Sequence, residues 1–203
     1  MTIENAFFKE VAGRFATGVT VVTTSSQGKV AGITVNTFCS VSLDPPLILV
    51  CVDLISQTLQ LIRESGIFAV NILSSEQDEL SRCFAGASRE RYEYFCNATY
   101  REAATGAPIL DGTLAFIDAR VVAEYPGGDH VIFLGQVEAL GTDSEAAFAD
   151  ENMLQQATVK ARGINSENEK SPLAYYRGKY RRLNAYYAEP SMAQTNHTIN
   201  HER

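Results

Sequence analysis

The chain has little of what would mark it for a membrane, a nucleic acid or a metal. No run approaches the roughly 20 apolar residues that a membrane-spanning helix needs. The start, Met1-Thr2-Ile3-Glu4-Asn5, has neither the basic nor the apolar part of a secretory signal. A cytoplasmic location with no membrane partner is expected. Only 17 Lys and Arg stand against 24 Asp and Glu, a net charge of -7. Binding to a phosphate backbone is driven by clustered cations, so nucleic acid is not an expected partner. Among three histidines only His130 lies in the body of the chain, and no His-rich metal site can be assembled. Cys39, Cys51, Cys83 and Cys96 form neither a C-x-x-C pair nor a zinc ligand set. They read as buried free thiols that pack as small hydrophobes. The absence of G-x-G-x-x-G excludes a separate Rossmann domain.

What is present fits one domain. The 203 residues, 45% hydrophobic, can bury a single sizeable core, expected over 1–187. Residues 188–203 have almost no large apolar side chains and read as a disordered tail. Helical spacing of Phe7, Phe8, Val11, Ala12 and Phe15 predicts a helix over 5–15. The β-branched run Val19–Thr24, a turn at Ser25–Lys29 and Val30–Val35 predict a β-hairpin. Leu47–Val52 reads as a strand buried on both faces, Ser56–Ser65 as a helix ended by Gly66, and Ile67–Leu73 as a further strand. Ser74 and Gln77 have capping-box spacing ahead of a helix toward Phe84. Leu114–Ala123 and Val131–Leu140 read as strands joined by the turn-forming Tyr125–Asp129. Residues 86–112 give no clear pattern, 143–151 could be a helix, 160–170 reads as a surface loop, and Tyr175–Leu183 is a last aromatic and basic segment. The expected class is mostly β with short helices, as an antiparallel barrel that leaves no exposed sheet edges.

Two segments carry candidate chemistry. From Gly32 to Pro46 a strand enters a long polar loop in which hydroxyl residues alternate with apolar ones. Such a loop can meet the polar edges of a planar heteroaromatic against an apolar floor, or its hydroxyls can simply satisfy their own backbone. Ser56-Gln57-Thr58 opens a predicted helix, where free amides and two hydroxyls suit a phosphate, although Ser56 is equally well an ordinary N-cap.

Four ordered motifs then carry a family resemblance: Arg14–Thr23, Gly32–Phe38 with Val41–Pro46, Gly128-Asp129-His130, and Tyr176–Tyr180. Over about residues 8–185 the chain resembles the flavin reductases of two-component monooxygenases. That resemblance implies an antiparallel, FMN-binding split β-barrel that forms a homodimer. It implies isoalloxazine contacts at Thr34, Val35, Asn36, Thr37 and Ser40, and phosphate or ribityl contacts at Cys51, Val52, Asp53, Ser56, Gln57 and Thr58. Phe84, Ala85, Gly86 and Arg91 are implied to complete the cofactor site. One departure stands out: Asp53-Leu54-Ile55 replaces the Asn-Arg-Ser of many members, removing a cation and a hydroxyl. Either Asp53 turns away as a cap, or the phosphate is held by Ser56, Gln57, Thr58 and a distant cation, Arg89 or Arg91.

His130 reads from its surroundings as a hairpin-end residue bonded to Asp129, and the resemblance gives it a role in positioning the nicotinamide. Arg177, Lys179, Arg181 and Arg182 read as a solvated strand edge or as a pyrophosphate site; the resemblance implies nicotinamide contacts at Tyr176, Arg177 and Gly178. The function implied is reduction of FMN or FAD by NADH or NADPH, with reduced flavin passed to a separate flavin-dependent monooxygenase. The rivals are a flavin carrier or sensor without turnover, and a split-barrel oxidase acting on an organic substrate.

Overall fold

A computed structural model describes residues 3–142 and 170–183, together with the backbone pairing of 146–148. Helix α1 (Asn5–Ala12) leads into β1 (Thr17–Gly18), β2 (Thr20–Ser26), β3 (Lys29–Val35), β4 (Cys39–Leu43) and β5 (Pro46–Asp53). Next come α2 (Gln57–Ser65), β6 (Ile67–Ile72), α3 (Asp78–Ala85), α4 (Arg89–Tyr94), β7 (Tyr100–Glu102) and β8 (Pro108–Leu110). The long strands β9 (Ala115–Gly127) and β10 (His130–Thr142) follow, then β11 (Ala146–Phe148), β12 (Leu173–Tyr176) and β13 (Lys179–Arg182).

The main sheet runs β3-β2-β6-β9-β10-β5-β4, with β11 also on β10, and its pairings are antiparallel. It curls until β3 lies against β5 without a ladder between them. The bridge is a side chain. Thr37 Oγ1 donates to the Cys51 carbonyl at 3.0 Å and accepts from the Cys51 N–H at 3.1 Å. One hydroxyl thus satisfies both backbone groups of a strand residue, and the barrel stays split there. The chain forms the expected mostly β, antiparallel split barrel, but the sheet does not close, and β3 and β4 remain as its ends against the expectation of no exposed edges.

The β-branched residues of β2 and β6 are buried on both faces of the sheet, whereas β5 alternates. Leu47–Val52 was expected to be buried on both sides. Instead Ile48, Val50 and Val52 enter the core while Leu47, Leu49 and Cys51 are half-covered, so β5 follows the ordinary period of 2. Val22, Phe68 and Phe133 from the sheet pack with Leu59 and Ile62 of α2 to form the main core. Polar groups inside are paired: Asn71 Nδ2 donates to Val21 O at 3.1 Å, and its Oδ1 accepts from Leu110 N at 2.8 Å. Buried Asp118 accepts from the Thr105 amide at 2.8 Å and from its hydroxyl, and desolvation raises its pKa.

Other expectations need correction. The first helix stops at Ala12 because Gly13 closes it, and none of its residues is buried. Gln77 is itself the N-cap of α3; its side chain accepts from Ser74 N at 3.1 Å, so half of the capping box forms one turn early. Within 143–151 the backbone at Ala146–Phe148 is a strand, not helix, because it adds to the edge of β10. The rest of that segment, 160–169 and the tail from 188 lie outside the described residues. Cys83 and Cys96 are joined by a disulfide with Cα atoms 6.0 Å apart, Cys39 is exposed and Cys51 is half-buried. The free-thiol reading failed because α4 doubles the chain back on α3, a fold-back that the spacing of 13 does not reveal.

Candidate functional site

Gly32 lies in the middle of β3, and a Cβ there would meet the Phe84 ring at 2.6 Å. This glycine exists so that α3 can pack its Phe84 directly on the strand, and Phe84 is fully buried. The Gly32 carbonyl consequently faces a cluster of donors. Arg91 Nε donates to it at 2.9 Å and Thr58 Oγ1 at 3.2 Å. The same guanidinium donates from Nη1 to Gly86 O at 2.9 Å and from Nη2 to Thr58 Oγ1 at 3.4 Å. Arg91 is only 7% exposed, and burial pulls its pKa down. It therefore knots β3, the start of α2 and the end of α3 into one junction.

A cleft of about 320 Å³ opens on this junction, lined by residues 28–32, by Gln57, Thr58 and Leu61 of α2, and by Arg91, Tyr92, Glu93 and Phe95, with Glu93 paired to Arg89. Its apolar wall comes from Val30, Ala31, Leu61 and Phe95, and its cations are Lys29 and Arg91. An apolar wall with a few convergent donors suits a planar heteroaromatic bearing a phosphate, so these residues fit a flavin. Of the two arginines considered, Arg91 adjoins Thr58, whereas Arg89 is exposed and paired with Glu93 at 2.6 Å.

The start of α2 is satisfied internally. Ser56 Oγ accepts from Thr58 N at 3.2 Å, and Asp53 Oδ1 accepts from Ile55 N at 3.0 Å. The helix cap is therefore Ser56 and not Asp53, which caps only the turn before the helix, so the expectation of Asp53 as a helix cap is not met. Val52 is buried in the core, while Gln57 is exposed. On the ring-binding half, Thr34 Oγ1 donates to Ser81 O at 2.7 Å, tying β3 to α3. Val35 packs against the main core, exposed Asn36 donates to Thr17 Oγ1 at 3.3 Å, Thr37 bridges to Cys51, and Ser40 is exposed on β4.

His130 begins β10 directly across from Asp53 at the end of β5, and Leu54 N donates to Asp129 O at 3.0 Å. The hairpin end therefore sits on the Asp53 turn. The His130 side chain is 37% exposed, with Nδ1 2.7 Å from Asp129 Oδ1. That hydrogen bond, with the neighbouring imidazole charge, lowers the Asp129 pKa. His130 lines its own cleft of about 200 Å³ with Leu54, Arg63, Glu124 and Tyr125. It is not grouped with Arg91.

A third cleft, about 600 Å³, contains Ala85, Gly86 and Gly178. Tyr176-Arg177-Gly178 forms the tight turn between β12 and β13, with Arg177 and Gly178 both at positive φ, and Arg177 N donates to Gly13 O at 2.8 Å. Arg82, Lys179 and Arg181 make this cleft basic, and Arg82 stacks over the Tyr180 ring at 4.7 Å. The predicted residues are thus distributed over three clefts. Arg91 joins the first to the third, since Gly86 accepts from it. Reading the sequence alone missed Lys29, Tyr92 and Phe95 on the first cleft and Arg82 on the third; only Arg82 carried a usable signal, as a cation on the helix next to Phe84-Ala85-Gly86. Among the described residues no His, Cys, Asp and Glu group could hold a metal, and no helix is long and apolar enough to cross a membrane.

Comparison with known proteins identifies the family. The chain is 34% identical over 178 residues to the reductase subunit HsaB of a flavin-dependent monooxygenase from Mycobacterium tuberculosis, covering 88% of this chain and 82% of that protein. An NADH-dependent flavin reductase from a Rhodococcus species is 41% identical over 140 residues, 66% of this chain and 76% of that protein. The solved structure of the flavin reductase PheA2 matches with a TM-score of 0.70 at 34% identity, covering 90% of this chain and 100% of that one. Residues 12–184 match the family model of the flavin reductase like domain, and the chain belongs to that family.

Proposed function

We propose that this protein is a flavin reductase that takes electrons from NADH or NADPH, reduces FMN or FAD, and supplies the reduced flavin to a separate monooxygenase. The observation that carries the reading is the junction at Gly32, where Thr58 and Arg91 converge beside an apolar wall. A bound flavin supplies the hydride acceptor, and hydride transfer belongs to the two cofactors themselves. The chain's own residues bind, orient and exclude water. Gln57 and Arg91 hold the phosphate end, Thr58 fixes the Arg91 guanidinium from behind, and Asn36, Thr37 and the neighbouring strand edge lie toward the ring. His130 orients the nicotinamide, and the Tyr176–Gly178 turn contacts the dinucleotide. Two relatives are NADH-dependent by name, which favours NADH as the donor.

The chain is also proposed to act in the cytoplasm as a homodimer. Phe7, Phe8 and Val11 of α1, with Phe15 beyond it, are all more than half exposed, an apolar surface that a second copy would cover. The function is tested by mixing purified protein with NADH or NADPH and FMN or FAD, and following nicotinamide absorbance. Oxidation that depends on added flavin is expected. No flavin-dependent oxidation with any of the four pairs would remove the proposal.

A further inference from the structure

We propose that Cys83 and Cys96 are a reversible thiol–disulfide pair whose state sets the affinity of the Gly32 cleft for its ligand. The inference rests on reading that cleft as the flavin site. Cys83 lies on α3 immediately before Phe84, and Cys96 follows Phe95, a wall residue of the cleft. The bond encloses Gly86, Ser88, which caps α4, and Arg91, whose guanidinium holds the Gly32 carbonyl. One covalent link therefore ties down the segment that supplies a whole side of the cleft.

The backbone at the link is under tension. Phe95, Cys96 and Asn97 have φ of 49°, 55° and 52°, three consecutive non-glycine residues in the left-handed region. What holds them there is the disulfide, the Ala98 N to Phe95 O bond at 3.0 Å, and the Phe95 ring edge-on to Phe84 at 5.0 Å and to Tyr100 at 5.4 Å. Without the disulfide, the turn loses its one covalent hold and keeps only the Ala98 to Phe95 bond and the ring contacts against relaxing toward right-handed backbone. That movement shifts Phe95 and α4, and with α4 the Arg91 knot.

The chemistry is closed. A dithiol reductant attacks one sulfur as thiolate, its second thiolate displaces the mixed disulfide, and the protein keeps two thiols while the reductant becomes a cyclic disulfide. In the reverse direction a peroxide accepts two electrons. One cysteine thiolate attacks the O–O bond to give a sulfenic acid and hydroxide, and the other thiol displaces the sulfenic oxygen as water, forming the S–S bond. Reduced flavin that meets dioxygen gives such a peroxide. Both cysteines are half-buried, hence within reach of small reagents. A thiol-reducing cytosol does not hold such a bond permanently oxidised, which is why reversibility is assigned to it.

The test titrates FMN into full-length protein, by flavin fluorescence, after hydrogen peroxide or after dithiothreitol. The oxidised protein should show two titratable thiols, Cys39 and Cys51, and a linked Cys83–Cys96 peptide; the reduced protein should show four thiols. Reduction should weaken FMN binding about tenfold, equivalent to about 1.4 kcal/mol. Cys96→Ser should bind as the reduced form does and ignore dithiothreitol, while Cys39→Ser should keep the response. Four thiols after peroxide, equal affinity in both states, or a dithiothreitol response surviving in Cys96→Ser would each overturn the proposal. Should neither form bind FMN or FAD, the flavin reading fails separately, and trypsin then decides the switch. Reduction must speed cleavage after Arg89 or Arg91; unchanged cleavage overturns it.

Discussion

The Gly32 junction and the His130 turn are assembled in opposite ways. Gly32, Thr58 and Arg91 are buried and held by bonds among three elements, while Asp129 and His130 sit at a hairpin end joined by one side-chain pair, with Asp129 fully exposed. A ligand that must lie flat and keep its register benefits from the first construction, because core packing over-determines the positions of the donors. A ligand that enters and leaves at each turnover is better served by the second. Stability and flavin binding should therefore fail together at the junction, and turnover should fail alone at the turn.

Phe84→Ala tests that division most severely. It removes a fully buried ring packed on Gly32 and Phe95, so a loss of about 3–5 kcal/mol in denaturant unfolding is expected, with flavin affinity falling in parallel. Arg91→Ala should cost about 2–3 kcal/mol, since the Gly86 carbonyl loses its donor and the Gly32 carbonyl keeps only Thr58. If either variant kept its stability and lost only turnover, the junction would not be the rigid half.

The second half of the comparison is sharpened by substitutions that leave the fold alone. His130→Ala should keep the unfolding midpoint and the flavin dissociation constant while kcat/KM for NADH falls by up to about a hundredfold, the scale of a misplaced reactant. Equal losses in flavin binding and turnover would contradict separate roles. Asp129→Asn should act more weakly still. His130 holds the Asp129 carboxyl below its ordinary range, so the pair contributes above the usual aspartate pKa and is lost as pH falls through the lowered value. Variant and wild type should therefore converge in acid and differ slightly in kcat/KM above it, with no change in thermal midpoint, because Asp129 is fully exposed.

The two regions were also unequally legible in the sequence. The strands were readable because their signals are local: a β-branched run at Val19–Thr24 and Gly66 in a left-handed cap. The turn formers at Tyr125–Asp129 overstated the loop, since β9 continues through Tyr125, Pro126 and Gly127 and only Gly128-Asp129 turns. The Asp129–His130 bond was likewise predictable, being between neighbours. Arg91 was picked out as a cation, but its work as a strut depends on Gly32, Thr58 and Gly86, and no spacing announces that meeting. The disulfide was hidden for the same reason. Gly32 was read as part of a strand entering a long polar loop up to Pro46; the structure keeps it in β3, where it makes room for Phe84, and replaces most of that loop by strand β4, which pairs with β5. The alternation of β5 was misread because Leu47–Val52 is apolar throughout, which erases the pattern that would distinguish its two faces.

The most direct test of the central claim is a crystal of the full chain soaked with FMN. The account predicts the isoalloxazine against the wall of the Gly32 cleft and the phosphate within hydrogen-bond distance of Gln57 or Arg91. Flavin density at the Arg82–Tyr180 cleft with none at the Gly32 cleft would contradict it.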